Sequence, residues 1–473
     1  MTPDALRPRK FKVQAQAALA DPVLRKALGR ARSGFVDKRA RAIEALPEFA
    51  ALCDEARDLK AHALGRLGEL LEGYEARVTE AGGQVHWAET AEDACRIVVD
   101  ICARAGARKV AKGKSMAGEE VALNTALERA GLQVIETDLG EYIIQLAGEP
   151  PSHIIAPAVH KTREQIAALF RRHHADLDRQ LHEIPELVDE ARRVLRQEFL
   201  SADVGITGAN LLIADSGSHV LVTNEGNGDL SSTCPRVHVV IAGIEKVVPD
   251  FDAAATVLRV LARSATGQAI TSYTSVFTGP KRDGDLDGPE AFHVVLLDNG
   301  RTDMLAGEFR EMLRCIRCGA CLNHCPVYTA VGGHAYGAVY PGPMGSVLTP
   351  LQWGLREAGD LPNACTLNGR CAAVCPVRIP LPDLLRQLRV RAHRDALDGA
   401  RTRWMLAAWT WLAARPGVYR WASRLGVRLL HRLGRGRGRL ARAPLASGWT
   451  GGRDLPLPEG RTFFEQYARG RRE

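Results

Sequence analysis

The sequence predicts an α/β domain with a largely parallel sheet, then a small helical module organised by cysteines, then a basic helical tail. Three observations predict it. Short β-branched runs alternate with helix-period segments between residues 84 and 298. Two cysteine runs of the same frame lie between Cys315 and Pro376. From Arg401 to Arg442 there are many arginines and no Asp or Glu.

The elements follow in order. Residues 1–80 read as helices, because apolar residues recur at helical spacing in Ala18–Ala20, Val23–Leu28 and Leu52–Tyr74 with charges between them. The α/β domain spans 81–300. Gln84–Ala88 reads as a strand, and Thr90 caps a helix to Cys102. Lys109–Gly113 is a strand, Met116–Ala130 one helix closed by Gly131, and Gln133–Asp138 the next strand. Short strands alternating with helices argue a parallel sheet. A long helical stretch is expected from Lys161 to about Leu200. Beyond it, Asp203–Asp215, Val220–Asn224 and Val237–Gly243 read as consecutive strands broken by Gly/Asn/Asp turns. A helix over Phe251–Ala265 follows, and Gly267–Ser275 with His293–Asp298 are expected to complete the same sheet. Residues 301–395 form the cysteine module. Its insert, with Gly332–Gly337 and Tyr340–Ser346, looks too rich in turn residues for a helix. A helix is expected from Asp383 to about Leu397, and residues 396–473 are the basic Trp/Arg region.

The totals exclude several classes. A chain of 473 residues has room for two or three domains. Seven of its 11 cysteines fall between Cys315 and Cys375, and Cys53, Cys95, Cys102 and Cys234 are scattered, so this is no disulfide framework. The pattern suits a reducing, cytoplasmic compartment where thiols stay free for metal. Met1–Lys10 lacks the apolar core of a secretory signal, and no window reaches about 18 uninterrupted apolar residues, so no transmembrane span is expected. The net charge of +8 is small for the length and matters only where it is concentrated, in the tail.

The cysteine spacing carries the chemistry. Cys315, Cys318, Cys321 and Cys325-Pro326 reproduce C-x2-C-x2-C-x3-C-P, the bacterial ferredoxin run for [4Fe–4S] clusters. Cys365, Cys371 and Cys375-Pro376 repeat the frame with Asn368 where a cysteine is expected. In such modules the fourth cysteine of each run serves the other cluster. Cluster 1 is then held by Cys315, Cys318, Cys321 and Cys375, and cluster 2 by Cys325, Cys365 and Cys371 with Asn368 at its fourth corner. A neutral amide oxygen is a poor iron ligand. Cluster 2 is therefore either [3Fe–4S], or [4Fe–4S] with water or another group on one iron. Zinc is the rival metal, for the whole region or for the second run alone. His324 and His334 lie near enough in sequence to tune a cluster, or simply to pack.

Other motifs are weaker. Lys112-Gly-Lys114-Ser115 before a helix could cradle an anion. Gly205–Asn210 and Asn224–Gly228 lie at strand ends, where α/β sheets bind ligands, but match neither a dinucleotide fingerprint nor a P-loop. Glu225 could act as a base or nucleophile, or be a turn carboxylate. This leaves open an enzyme whose α/β domain binds a carboxylate or CoA-type ligand. In the tail, Leu406, Trp409 and Leu412 share one helical face, and Trp421, Leu425 and Leu429 another. That composition suits a membrane surface at the inner face, a partner subunit, or the protein's own core. Its Trp residues sit among apolar rather than basic neighbours, which speaks against nucleic acid. The Gly434–Arg439 stretch is expected to be flexible.

Together, Lys112–Met116, Gly208–Asn210, Asn224–Gly228, the first cysteine run and Gly369–Pro380 resemble the lactate utilisation protein B family over nearly the whole chain. The resemblance implies an iron–sulfur electron-transfer subunit of a three-protein system that oxidises L-lactate to pyruvate. Its partners would be the other subunits. It implies a NagB/RpiA/CoA-transferase-like fold for the α/β part and seven cysteine ligands for two [4Fe–4S] clusters. Six match by position: Cys315, Cys318, Cys321, Cys325, Cys371 and Cys375. The family's seventh sits where this chain has Asn368, so here Cys365 keeps the count while the place has moved.

Overall fold

A computed structural model describes residues 8–175, 177, 179–434, 438–442, 450 and 453–470. Residues up to Ala392 form one compact unit and those from His393 a second. Part of the Gly/Arg stretch expected to be flexible, residues 435–437, lies outside the described residues.

Four helices open the chain: α1 (Phe11–Ala20), α2 (Pro22–Glu44), α3 (Phe49–Gly65) and α4 (Leu67–Glu80). The Asp21 carboxylate caps α2 by accepting from the Val23 and Leu24 amides, with Pro22 in the first turn. The α/β part then runs β1 (Gln84–Ala88), α5 (Ala91–Arg104), β2 (Lys109–Lys112), α6 (Met116–Glu120), α7 (Leu123–Arg129), β3 (Gln133–Glu136), α8 (Leu139–Ala147), α9 (Arg163–His173), α10 (Ile184–Ser201), β4 (Val204–Gly208), β5 (Leu211–Ile213), β6 (Ser218–Thr223), α11 (Asn227–Thr233), β7 (Val237–Gly243), β8 (Val247–Val248), α12 (Phe251–Ala265), β9 (Tyr273–Phe277) and β10 (Ala291–Leu297).

Six strands form a sheet in the order β1-β10-β7-β4-β2-β3, with every pairing parallel. It is buried on both faces. Val239, Ile241, Val295 and Leu297 pack on one side with α5 and α7. Val240, Ala242, Val294 and Leu296 pack on the other with α4. The period of two is what lets continuous apolar runs serve two cores.

Four expectations are corrected. The strands from 203 to 275 do not form one sheet: β5, β6, β8 and β9 make a separate four-stranded sheet in the order β8-β5-β6-β9. The helix over Met116–Ala130 is two, broken at Ala122 in the left-handed region at φ 54°. The stretch after Lys161 is also two helices. Pro185 opens α10 rather than sitting inside a longer helix, and His174, just past α9, pairs with Glu190 at 2.9 Å. The insert between the cysteine runs does contain a helix, Gly342–Trp353, with Pro343 in its first turn and Pro350 inside it. Its glycines allow close approach: a Cβ on Gly345 would fall 1.7 Å from the Tyr340 carbonyl oxygen.

The cysteine module is a string of short helices: α13 (Arg301–Ala306), α14 (Ala320–Asn323), α15 (Pro326–Val331), α16 (Gly342–Trp353), α17 (Leu355–Ala358), α18 (Asp360–Asn363), α19 (Arg370–Ala373) and α20 (Leu381–Arg394). Cys318, Cys325, Cys371 and Cys375 belong to one continuous apolar core that also includes Phe11, Phe49, Leu52 and Val257, and Cys315, Cys321 and Cys365 pack against it partly buried.

In the second unit, α21 (Ala400–Ala413) and α22 (Pro416–Gly434) follow. Trp404, Trp409, Trp411 and Trp421 are all more than half exposed. On α22, Trp421, Leu425, Leu429 and Leu433 recur every fourth residue along one exposed stripe. On α21 apolar side chains lie all round the helix, so the single face expected there is not set apart. Among the described residues, no helix is long and apolar enough to cross a membrane.

Candidate functional site

The two cysteine runs share a backbone. In the first, Arg317 (φ 59°) and Gly319 (φ 71°) take left-handed conformations before α14. In the second, Leu367 (φ 55°) and Gly369 (φ 80°) do the same before α19. Cys318 and Asn368 each stand between such a pair, so Asn368 occupies Cys318's place in the repeat. Cys325 then caps α15 ahead of Pro326, and Cys375 precedes Pro376. Glycine suits this turn because both Gly319 and Gly369 have positive φ, which a side chain would strain.

The thiols gather in two groups. Cys315, Cys318, Cys321 and Cys375 line one small cavity with Ile154, Ile316, Met344, Val377, Ile379 and Leu381. Burial, and then the neighbouring Cys318, Cys315 and Cys375, push the Cys321 thiol well up. In the other group, burial followed by Cys365 and Cys325 pushes Cys371 up to about 12. Backbone amides donate to sulfur in both groups: Ile379 N to Cys375 Sγ (3.3 Å), Leu367 N to Cys365 Sγ (3.2 Å) and Tyr328 N to Cys325 Sγ (3.5 Å). The donor set fits iron–sulfur clusters. Converging buried thiols are hard to ionise alone, and metal binding displaces their protons.

The surroundings differ. The Arg39 charge acts on Cys318 and Cys375, and those of Lys60 and Lys246 on Cys315. Asn368 is exposed, and its Oδ1 accepts from the Arg370 amide at 3.1 Å, which ties it to its own turn. His324 Nδ1 lies 2.9 Å from the Ala320 carbonyl and His334 Nε2 2.7 Å from that of Pro150, so both rings pack against backbone.

Beside the first thiol group lies a larger cavity, of about 260 Å³. It opens at the carboxyl ends of the parallel strands, where this architecture binds ligands. Lys114 and Ser115 after β2, Gly208 ending β4 and Asn210 after it, Gly243 ending β7 with Glu245 and Lys246 after it, and Arg301 after β10 all line it. Ile154 and Arg317 line both this cavity and the thiol cavity. Its floor is an ion network. Arg301 pairs with Glu120 at 2.9 Å and with Glu245 at 2.6 Å, and Arg317 approaches Glu245 at 3.5 Å. Arg317 also lies 4.8 Å from the centre of the Tyr340 ring. Burial opposes charge on Glu245, but Arg301, Arg317 and Lys246 outweigh it and hold the carboxyl down to about 2. Burial lowers Lys246 to about 8, helped by Arg317.

The motif Lys112-Gly-Lys114-Ser115 is divided. Lys112 is no anion ligand: it is fully buried and paired with Glu119 (2.7 Å) and Glu136 (2.5 Å). Lys114 reaches the cavity, with its ammonium on the Ile155 carbonyl. Glu225 lies at the mouth, accepting from the Leu139 amide at 3.0 Å, and partial burial and Asp138 raise its pKa. Sequence reasoning missed Glu245, Lys246, Arg301 and Arg317. The available signal was a Glu-Lys pair directly after an apolar strand.

The LUD domain family matches residues 71–297, and the 4Fe-4S dicluster domain family matches residues 311–379. The chain is 42% identical over 455 residues to the uncharacterized electron transport protein YkgF of Escherichia coli K12, covering 96% of this chain and 95% of that one. It is 41% identical to lactate utilization protein B of Lysinibacillus sphaericus (96% and 95% covered) and 40% identical to that of Bacillus subtilis (97% and 96%). A crystal structure of a DUF162 family protein from Deinococcus radiodurans overlaps 49% of this chain and 98% of its own at 13% identity, with a TM-score of 0.27.

Proposed function

Since this chain belongs to the lactate utilization protein B family, we propose that it is the iron–sulfur electron-transfer subunit of a complex that oxidises L-lactate to pyruvate. The match to a 4Fe-4S dicluster domain supports iron–sulfur clusters and electron transport. The finer reading assigns Cys315, Cys318, Cys321 and Cys375 to a [4Fe–4S] cluster. Cys325, Cys365 and Cys371 hold a second cluster whose fourth corner has no protein ligand, because Asn368 is turned to its own backbone.

When bound, such clusters supply one-electron redox chemistry. The chain's own residues do the rest. The thiols hold the iron, the amides of Ile379, Leu367 and Tyr328 offset charge on sulfur, and Ile154, Met344 and Ile379 keep water away. The observation that carries the reading is that all seven thiols lie in or against one apolar core, which suits relay between two nearby centres. Partner proteins of the lactate system would deliver and accept the electrons, and a NagB/RpiA-like α/β domain would serve as their platform. The exposed Trp421–Leu433 stripe is a contact surface for a partner or the inner membrane face, in a cytoplasmic protein. The test is deletion of the gene in a strain without a paralogue. Growth on L-lactate is expected to stop and growth on pyruvate to continue. Unimpaired growth on L-lactate contradicts the assignment.

A further inference from the structure

The cavity at the strand ends is not used by the electron-transfer reading, and its wall chemistry is incomplete. Lys246 lines it, and its ammonium makes no hydrogen bond or ion pair among the described residues. Asn227 lines it too, is 5% exposed, and its Nδ2 has no partner among the described residues. The Thr223 hydroxyl, also in the lining, is likewise buried and unpartnered among them. Unpaired buried donors are costly, and two of them in one cavity, with the partly exposed Lys246 ammonium, suit an acceptor.

The charges decide the sign of that acceptor. Lys114, Lys246, Arg301 and Arg317 face the cavity, as do Asp138, Glu225 and Glu245. The acids are already engaged: Glu245 by Arg301, Asp138 by the Glu141 amide at 3.1 Å, and Glu225 by the Leu139 amide. Lys246 is not. Met116, Leu221, Ile241 and Leu261 add apolar wall, which suits a short carbon skeleton.

We propose that this cavity binds a compact organic acid with a hydroxyl or carbonyl oxygen beside its carboxylate, Lys246 taking the carboxylate and Asn227 with Thr223 the second oxygen. The bound acid sits behind the wall formed by Ile154 and Arg317, on whose other side Cys315, Cys318, Cys321 and Cys375 gather. Such a site gives this chain an organic ligand of its own, whether or not a partner supplies the electrons.

The test uses full-length, anaerobically purified protein with its metal bound. Calorimetric titration is run with pyruvate, L-lactate, inorganic phosphate and coenzyme A. Pyruvate or L-lactate is expected to bind at one site per chain. Lys246→Met is expected to weaken that binding at least tenfold, Lys246→Arg to recover part of it, and Asn227→Leu to weaken it several-fold, with iron content and circular dichroism unchanged. The acid is also expected to alter the EPR spectrum of the reduced wild-type protein. Binding of phosphate or coenzyme A alone, or of neither acid, overturns the proposal. So does a folded Lys246→Met protein that shifts in reduction potential but binds the acid as the wild type does, since Lys246 would then serve only as a counter-ion to the thiol group.

Discussion

The first and second cysteine runs have one backbone and two settings. Each places a left-handed residue and a left-handed glycine around its middle ligand position, then turns into a one-turn helix. Around the first, Arg39, Lys60, Lys246 and Arg317 act on the thiols, and the middle position is a buried cysteine. At the second, that position is an exposed asparagine whose oxygen is already committed. The backbone frame is therefore separable from its thiols: the turn is kept where the middle cysteine is replaced by asparagine.

The largest expected effect breaks the first run. Cys321→Ser removes a thiol that interacts with both groups, so about half the iron or more should be lost, as read by iron analysis. Cys371→Ser should cost about half and leave the signal of the first centre. Next, Asn368→Cys should restore a full ligand set at the second run and raise the iron content by about one atom per chain. Asn368→Ala should leave the iron content unchanged, since it deletes only a turn hydrogen bond. A smaller effect sharpens the contrast in charge: Arg317→Met should lower the potential of the first centre by tens of millivolts and leave the second unmoved, as measured by anaerobic titration. About 59 mV corresponds to a tenfold change for one electron.

The smallest effect lies away from both runs. His219 is fully buried between Phe277 and Phe292, and among the described residues both of its ring nitrogens are unpartnered. Burial lowers its pKa from 6.5 to about 3. The unfolded chain thus binds a proton that the folded chain refuses, and stability falls as pH drops from 6.5 toward 3. His219→Phe should stabilise the protein by about 1 kcal/mol at pH 7, and by more at pH 5, in denaturant titrations.

What was legible in the chain follows from how local each signal is. The ligand spacing is contained in a dozen residues, and each parallel strand announces itself as a β-branched run, so both could be read directly. The division of strands between two sheets could not, because β5 and β7 look alike as apolar runs and differ only in their partners. The break at Ala122 is equally non-local: Glu120 just before it is held by Arg301 and Tyr340, more than 180 residues on. The cavity escaped notice for the same reason. Its groups come from the ends of separate strands and from Arg317, a residue inside the cysteine run itself. Lys112 misled because a lysine beside glycines reads as a phosphate ligand until Glu119 and Glu136 are seen to claim it.

The most direct test of the difference between the runs is Mössbauer and EPR spectroscopy of the anaerobically purified protein, before and after mild oxidation and again after ferrous iron and reductant. One centre is expected to stay four-iron throughout. The second should convert reversibly between three-iron and four-iron forms, and Asn368→Cys should abolish that conversion. Two four-iron centres that resist oxidation equally in the wild-type protein would show that the two runs do not differ in this way.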